Sequence, residues 1–161
     1  VRGHRLGVDL GLLRAGLEIG RGFGLHSLEE MARIALYLES AVYDRGSLRH
    51  VPDGIAFALH SPPLRMGAFQ RASLMWDGEL LPLADCTARP ADRPAPARFD
   101  AIDRAHPLVL PVGGRIEFAA RMPPPDAGPH TIRVELESVA IPPVVWFQVT
   151  DHLRALAEAT G

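Results

Sequence analysis

The sequence predicts an α+β protein: an antiparallel β-sandwich of about seven strands, with an N-terminal helical segment and a short C-terminal helix. Two observations carry this. Apolar residues recur at helical spacing before residue 44 and at every second position from Gly54 onward. The short apolar runs of the later part are separated by Gly, Pro and Asp with no helical pattern between them, which favours antiparallel pairing over βαβ units. Residues 1–50 are therefore expected as a helical segment, and residues 51–161 as a sandwich domain carrying the C-terminal helix.

Within residues 8–44, a first helix over Val8–Ile19 sets Leu10, Leu13 and Leu17 on one face, although Gly11 and Gly16 each weaken it by about 1 kcal/mol relative to Ala. Gly20 to Gly24 makes a flexible connector. Its G-x-G has no preceding strand, so it does not read as a phosphate-binding loop. Ser27-Leu28-Glu29-Glu30 is a capping box, in which Ser27 and Glu30 satisfy each other's free backbone donors. Leu28, Met31, Ala35, Leu38 and Val42 follow as one apolar stripe, and Asp44-Arg45-Gly46 ends the helix.

Strands come next. Ile55, Phe57 and Leu59 alternate with smaller or polar neighbours, and Pro62-Pro63 closes that strand. Ala72, Leu74 and Trp76 repeat the pattern, and Asp77-Gly78 then signals a tight hairpin with a return strand over Glu79–Leu83. Residues 88–100 read as an extended, mobile Pro/Ala/Arg loop. Ile116, Phe118 and Ala120 mark a further strand. In the clearest strand, His130–Ile141, Ile132, Val134 and Leu136 point inward, and Thr131, Arg133, Glu135 and Glu137 outward. Pro142-Pro143 breaks the ladder, so Val144–Phe147 is expected to resume at a sandwich corner and cross to the other sheet. Asp151 is expected to cap a helix running to about Ala159.

Composition narrows the function. The chain has 161 residues, 47% of them hydrophobic and 22% charged, enough for one core. A net charge of −2 argues against nucleic acid or an anionic membrane as partner. All 17 basic residues are Arg, and Lys and Asn do not occur. Asp9 and Arg14 interrupt any signal-peptide core, and the 13 uncharged residues between Glu137 and Asp151 are too few to span a bilayer. A cytoplasmic protein is the expectation.

The chemistry-bearing residues are scattered. Seven histidines never pair at metal-ligand spacing, so no metal or cofactor is expected. His130 follows Gly128-Pro129 at a strand start, where its ring is placed to bond a neighbouring carbonyl. The lone Cys86 reads as a small buried hydrophobe, having only Arg89 nearby to activate it. His60, His130, Glu135 and Glu137 are the polar-site candidates, and no catalytic residue is assigned. From Ser138 to Phe147 both faces are apolar, which calls for a covering helix (28–42) or another chain.

Pro62-Pro63-Leu64-Arg65-Met66-Gly67-Ala68-Phe69, then Leu74-Met75-Trp76-Asp77-Gly78-Glu79, then Gly128-Pro129-His130-Thr131-Ile132-Arg133-Val134-Glu135-Leu136 together resemble the small β subunits of bacterial C-glycoside deglycosidases, over residues 54–145. The resemblance implies a β-sandwich that pairs with a separate metal-dependent barrel subunit holding most of the catalytic groups. The stretches LRHVPDGIAF and SVAIPPVVWF also look like short chains called hydroxymethylglutaryl-CoA reductase. That enzyme's chemistry needs a catalytic Lys and a nicotinamide site, and this chain has neither Lys nor a strand–GxGxxG–helix unit.

The expected role is thus a non-catalytic accessory subunit of a larger enzyme, one that removes sugars from C-glycosides. Its partner is a catalytic subunit or a second copy of itself. Arg65, Gly67, Trp146 and Phe147 are the interface candidates, since Arg and Trp are enriched at binding hot spots. The alternatives are a small-ligand-binding module, or a small metal-dependent enzyme in which His60, His130 and Glu135 or Glu137 converge.

Overall fold

The protein is described by a computed structural model over residues 5–7, 42–61, 68–110, 113–138 and 144–156. The helices expected at 8–19 and 28–42 lie outside these residues except for Val42, as do Arg65, Gly67 and the Pro142-Pro143 break.

Eleven strands are present among the described residues: β1 (Arg5–Gly7), β2 (Arg49–Val51), β3 (Gly54–His60), β4 (Ala68–Trp76), β5 (Glu79–Leu80), β6 (Cys86–Pro90), β7 (Ala97–Arg98), β8 (Leu108–Val109), β9 (Arg115–Arg121), β10 (Gly128–Ser138) and β11 (Val144–Leu153). They form two antiparallel sheets. Sheet I runs β1-β11-β10-β4-β5, with β8 also paired to β4, and sheet II runs β2-β3-β9-β6-β7. The expected sandwich is present, with 3-10 turns at Leu83–Asp85 and Phe99–Ala101 as its only other regular elements among the described residues.

Period-2 patterning builds the core between the sheets. Sheet I contributes Leu74 and Phe69 from β4, Ile132, Val134 and Leu136 from β10, and Phe147, Val149 and Leu153 from β11. Sheet II contributes Ile55, Phe57 and Leu59 from β3, Ile116, Phe118 and Ala120 from β9, and Cys86 and Ala88 from β6. The Phe57 and Phe118 rings stack at 5.4 Å, and Phe99 meets Phe118 edge-on at 6.0 Å. Tyr43 joins the layers, its ring 6.2 Å from Phe57 of sheet II and 6.3 Å from Phe147 of sheet I.

Several expectations are corrected. Tyr43 is not helical but forms a β-bridge with Leu59, and it is buried in the same core as Leu48. β11 does not cross to the other sheet. It lies antiparallel beside β10 from Glu137↔Val144 to Gly128↔Leu153, because the alternation Phe147, Val149, Asp151, Leu153 keeps one face inward throughout. Asp151 therefore caps no helix. It is a strand residue on the buried face, and the strand runs on to Leu153. Residues 88–100 are not a loose loop: β6 pairs β9 and β7, and Phe99 anchors the stretch in the core.

Candidate functional site

The outer face of sheet I concentrates the distinctive side chains. The β10 register sets Arg133 between Met75 and Gln148, Glu135 between Ser73 and Trp146, and Glu137 between Arg71 and Val144. These rows exist because β10 spends its odd positions from Thr131 to Glu137 on polar residues while its even ones enter the core. The Arg133 guanidinium carbon sits 4.1 Å from the centre of the Trp146 ring, and Nε donates to Glu135 Oε1 at 2.9 Å. The carboxylate thus orients the guanidinium and the indole face attracts it, a cation–π arrangement. Gln70 Nε2 donates to Glu137 Oε1 at 3.0 Å. Thr131 and Thr150 hydroxyls meet at 3.2 Å in the next row. A shallow depression of about 420 Å³ opens beside this cluster, lined by Met75, Asp77, Gly78, Thr131, Arg133 and Gln148.

At the end of sheet I, on the inward-facing side of β10 and β4, stands a second polar cluster. The β4–β5 turn is made by Asp77 and Gly78 with φ of 51° and 85°, as the Asp-Gly signal predicted. The turn aims the Asp77 carboxylate at β10: Oδ1 accepts the Thr131 N–H at 2.8 Å, and Oδ2 lies 2.7 Å from His130 Nδ1. His130 Nε2 lies 2.7 Å from the Asp126 carbonyl oxygen, and the imidazole stacks on Trp76 at 4.5 Å. Burial opposes charge on His130, but the Asp126 carbonyl and the Asp77 carboxylate outweigh it and raise its pKa above the ordinary 6.5. Burial likewise works against the Asp77 charge, and the His130 and Thr131 hydrogen bonds overcome it, so that pKa is lowered.

A third cluster is buried. Asp151 Oδ2 accepts the Tyr43 hydroxyl at 2.7 Å and the Gly46 N–H at 3.0 Å, and Oδ1 accepts the His152 N–H at 2.8 Å. Burial, then the hydrogen bond and charge of Asp151, push the Tyr43 pKa far up, so the phenol keeps its proton. This pair ties the approach to β2 onto β11.

The sequence-derived polar candidates do not converge. His60 is in sheet II, its Nε2 3.9 Å from Asp44 Oδ2, which also receives Arg115 Nη1 at 2.6 Å. Both His130 nitrogens face acceptors at the end of sheet I, and Glu135 and Glu137 are held on its outer face by Arg133 and Gln70. Among the described residues no three His, Cys, Asp or Glu side chains gather as a metal site would require. Of the interface candidates, Trp146 is half-buried on the outer face, whereas Phe147 belongs to the core. Cys86 is fully buried, and burial with the Asp85 charge pushes its thiol up to about 12.

Sequence reasoning missed the Tyr43–Asp151 pair and the role of Asp77 as acceptor. The Asp-Gly dipeptide named the turn but not where its carboxylate would point. No helix among the described residues is long and apolar enough to cross a membrane. Compared with known proteins, the chain matches no family model and no curated sequence.

Proposed function

We propose that this chain is a non-catalytic β-sandwich subunit that docks on a larger catalytic protein through the outer face of sheet I. The observation that carries the reading is the Arg133–Trp146–Glu135 cluster at the centre of that face. Arg and Trp are the side chains most often found at binding hot spots, because a large ring and a fork of donors give much contact for little lost freedom. Around them Met75 and Ser73 are half-buried, so the face offers a mixed apolar and polar surface of the kind found at non-obligate interfaces. The dispersal of His60, His130, Glu135 and Glu137 supports a supporting role over a catalytic one.

The partner class is taken from the resemblance over residues 54–145: the metal-dependent barrel subunit of a C-glycoside deglycosidase. The test is co-expression with such a subunit, followed by light-scattering mass across a concentration series. A stoichiometric complex is expected. Trp146→Ala with Arg133→Ala should weaken it about tenfold or more per hot-spot residue, the equivalent of roughly 1.4 kcal/mol each. Circular dichroism and thermal melting of the free variant establish that it folds. A chain that stays monomeric and binds no such subunit would overturn the reading. Saturable thermal stabilisation by a small molecule would then favour a ligand module using the depression beside Arg133.

A further inference from the structure

We propose that His130 is a standing imidazolium, a proton-dependent latch that ties the β4–β5 turn to the loop between β9 and β10 and can keep only one of the two ties when it loses a proton.

A neutral imidazole carries one N–H and one bare nitrogen lone pair, whereas an imidazolium carries two N–H donors. Here Nδ1 is 2.7 Å from Asp77 Oδ2 and Nε2 is 2.7 Å from the Asp126 carbonyl oxygen. The carbonyl can only accept. The Asp77 carboxylate is already accepting the Thr131 N–H at 2.8 Å through its other oxygen, an environment that favours its ionised, acceptor-only form. Either neutral tautomer therefore points a nitrogen lone pair at an oxygen lone pair across 2.7 Å. Only the doubly protonated ring satisfies both contacts.

Two further features bear on the charged ring: the Trp76 indole favours it, and burial opposes it while holding water away. Trp76 stacks on it with centroids 4.5 Å apart and planes 25° from parallel, which places a cation over the electron-rich indole face. The His130 side chain is 13% exposed, so water has little access to replace a lost partner. The titratable groups facing the ring are Asp77 from the turn, Asp126 from the loop and, across the β10–β11 register, Asp151. Asp151 is engaged by Tyr43, Gly46 and His152, which leaves the first two as the partners of the latch.

The sign of the pH dependence follows. With the folded pKa of His130 raised, the stabilisation is fully present below the unfolded value near 6.5 and disappears as pH climbs through the folded pKa. With the Asp77 pKa lowered, its share is present above the ordinary 3.8 and is lost as pH falls through the folded value. The latch is closed between these limits. On the alkaline side the ring loses its charge and one N–H, which weakens its hold on Asp77; Asp77 also lines the depression beside Arg133, so one end of that depression changes with proton concentration. None of this depends on what binds that face.

Long-range proton–nitrogen NMR of the ¹⁵N-labelled chain reads the ring directly. At about pH 7 both His130 nitrogens should appear protonated, with a titration midpoint above the ordinary value near 6.5. Asp77→Asn should bring the midpoint down. In denaturant unfolding from about pH 6 to about pH 9, the stability advantage of the native chain over His130→Gln should shrink as pH rises. A neutral ring at about pH 7 with a midpoint at or below about 6.5 overturns the proposal without reference to any variant. So does an advantage over His130→Gln that is unchanged across the range.

Discussion

Adding one methyl group at Gly54 should destabilise this fold more than truncating most surface side chains. Gly54 opens β3 directly after the Pro52-Asp53 turn and pairs with Arg121 of β9. A Cβ there would lie 2.0 Å from the Ala120 carbonyl oxygen and 2.9 Å from the Met122 backbone nitrogen, both of them backbone atoms that no rotamer change can move aside. Reaching ordinary contact requires the start of β3 to separate from β9 by more than an ångström. The end of the β3–β9 ladder then weakens together with the Met122 N–H to Asp53 carbonyl bond of 3.0 Å. Two such bonds are worth roughly 0.5–1.5 kcal/mol each net, and overpacking adds about 1–3 kcal/mol. Gly54→Ala should therefore cost roughly 2–6 kcal/mol, a large part of the roughly 5–15 kcal/mol that holds a typical domain folded. Urea titration followed by circular dichroism measures it as a lower midpoint at unchanged slope. A loss under about 1 kcal/mol would refute the close approach of β3 and β9, and with it the register of sheet II.

Two further outcomes test the interior. Tyr43→Phe removes the hydroxyl that Asp151 Oδ2 accepts at 2.7 Å inside the protein and should cost about 1.5–3 kcal/mol in the same titration, as expected for a bond to a charged acceptor; an unchanged midpoint would place the pair in solvent. Cys86, fully buried and with its thiol pushed up to about 12, should resist a thiol-colouring reagent in native buffer and react once the chain is unfolded, whereas prompt reaction in buffer would contradict its place in the core at the start of β6.

How far the sequence carried can be argued strand by strand. β10, expected over His130–Ile141 and observed over Gly128–Ser138, was legible in its faces, because Ile132, Val134 and Leu136 alternate with charged residues and only one register buries the apolar set. The Asp77-Gly78 turn was legible because positive φ restricts the residues that can occupy it. β11 was not. Its alternation runs through Asp151, and an acidic residue at a would-be helix start is read more readily as a cap than as a core position. The hydroxyl that makes this burial tolerable comes from Tyr43, 108 residues earlier, and no local pattern announces it. Paired two-residue strands such as β7 and β8 escaped for a similar reason, since their partners and not their own sequence define them. In the candidate site, Trp146 and His130 were each singled out from local sequence. Their partners Arg133 and Trp76 arrive only through the β10–β11 and β4–β10 registers.

The same registers explain why the polar residues ended as supports and not as a cleft. The inner faces are committed to Phe57, Phe118, Val134 and their neighbours, so apart from Asp151, which Tyr43 and two backbone N–H groups satisfy inside, a charged group has two places to go. At a sheet end it can be satisfied by turns, as His130 is by Asp77 and Asp126. On an outer face it can be satisfied by its neighbours along and across strands, as Arg133 is by Glu135 and Trp146. The first arrangement uses both donors of the ring and leaves nothing for a substrate. The second leaves a half-buried face among the described residues, and side chains already held in one geometry lose little freedom when a partner arrives. Rigidity is what a docking surface requires and what proton transfer at an unengaged imidazole forgoes. This division of labour between the sheet end and the sheet face is the physical argument behind the proposal that the chain is a subunit.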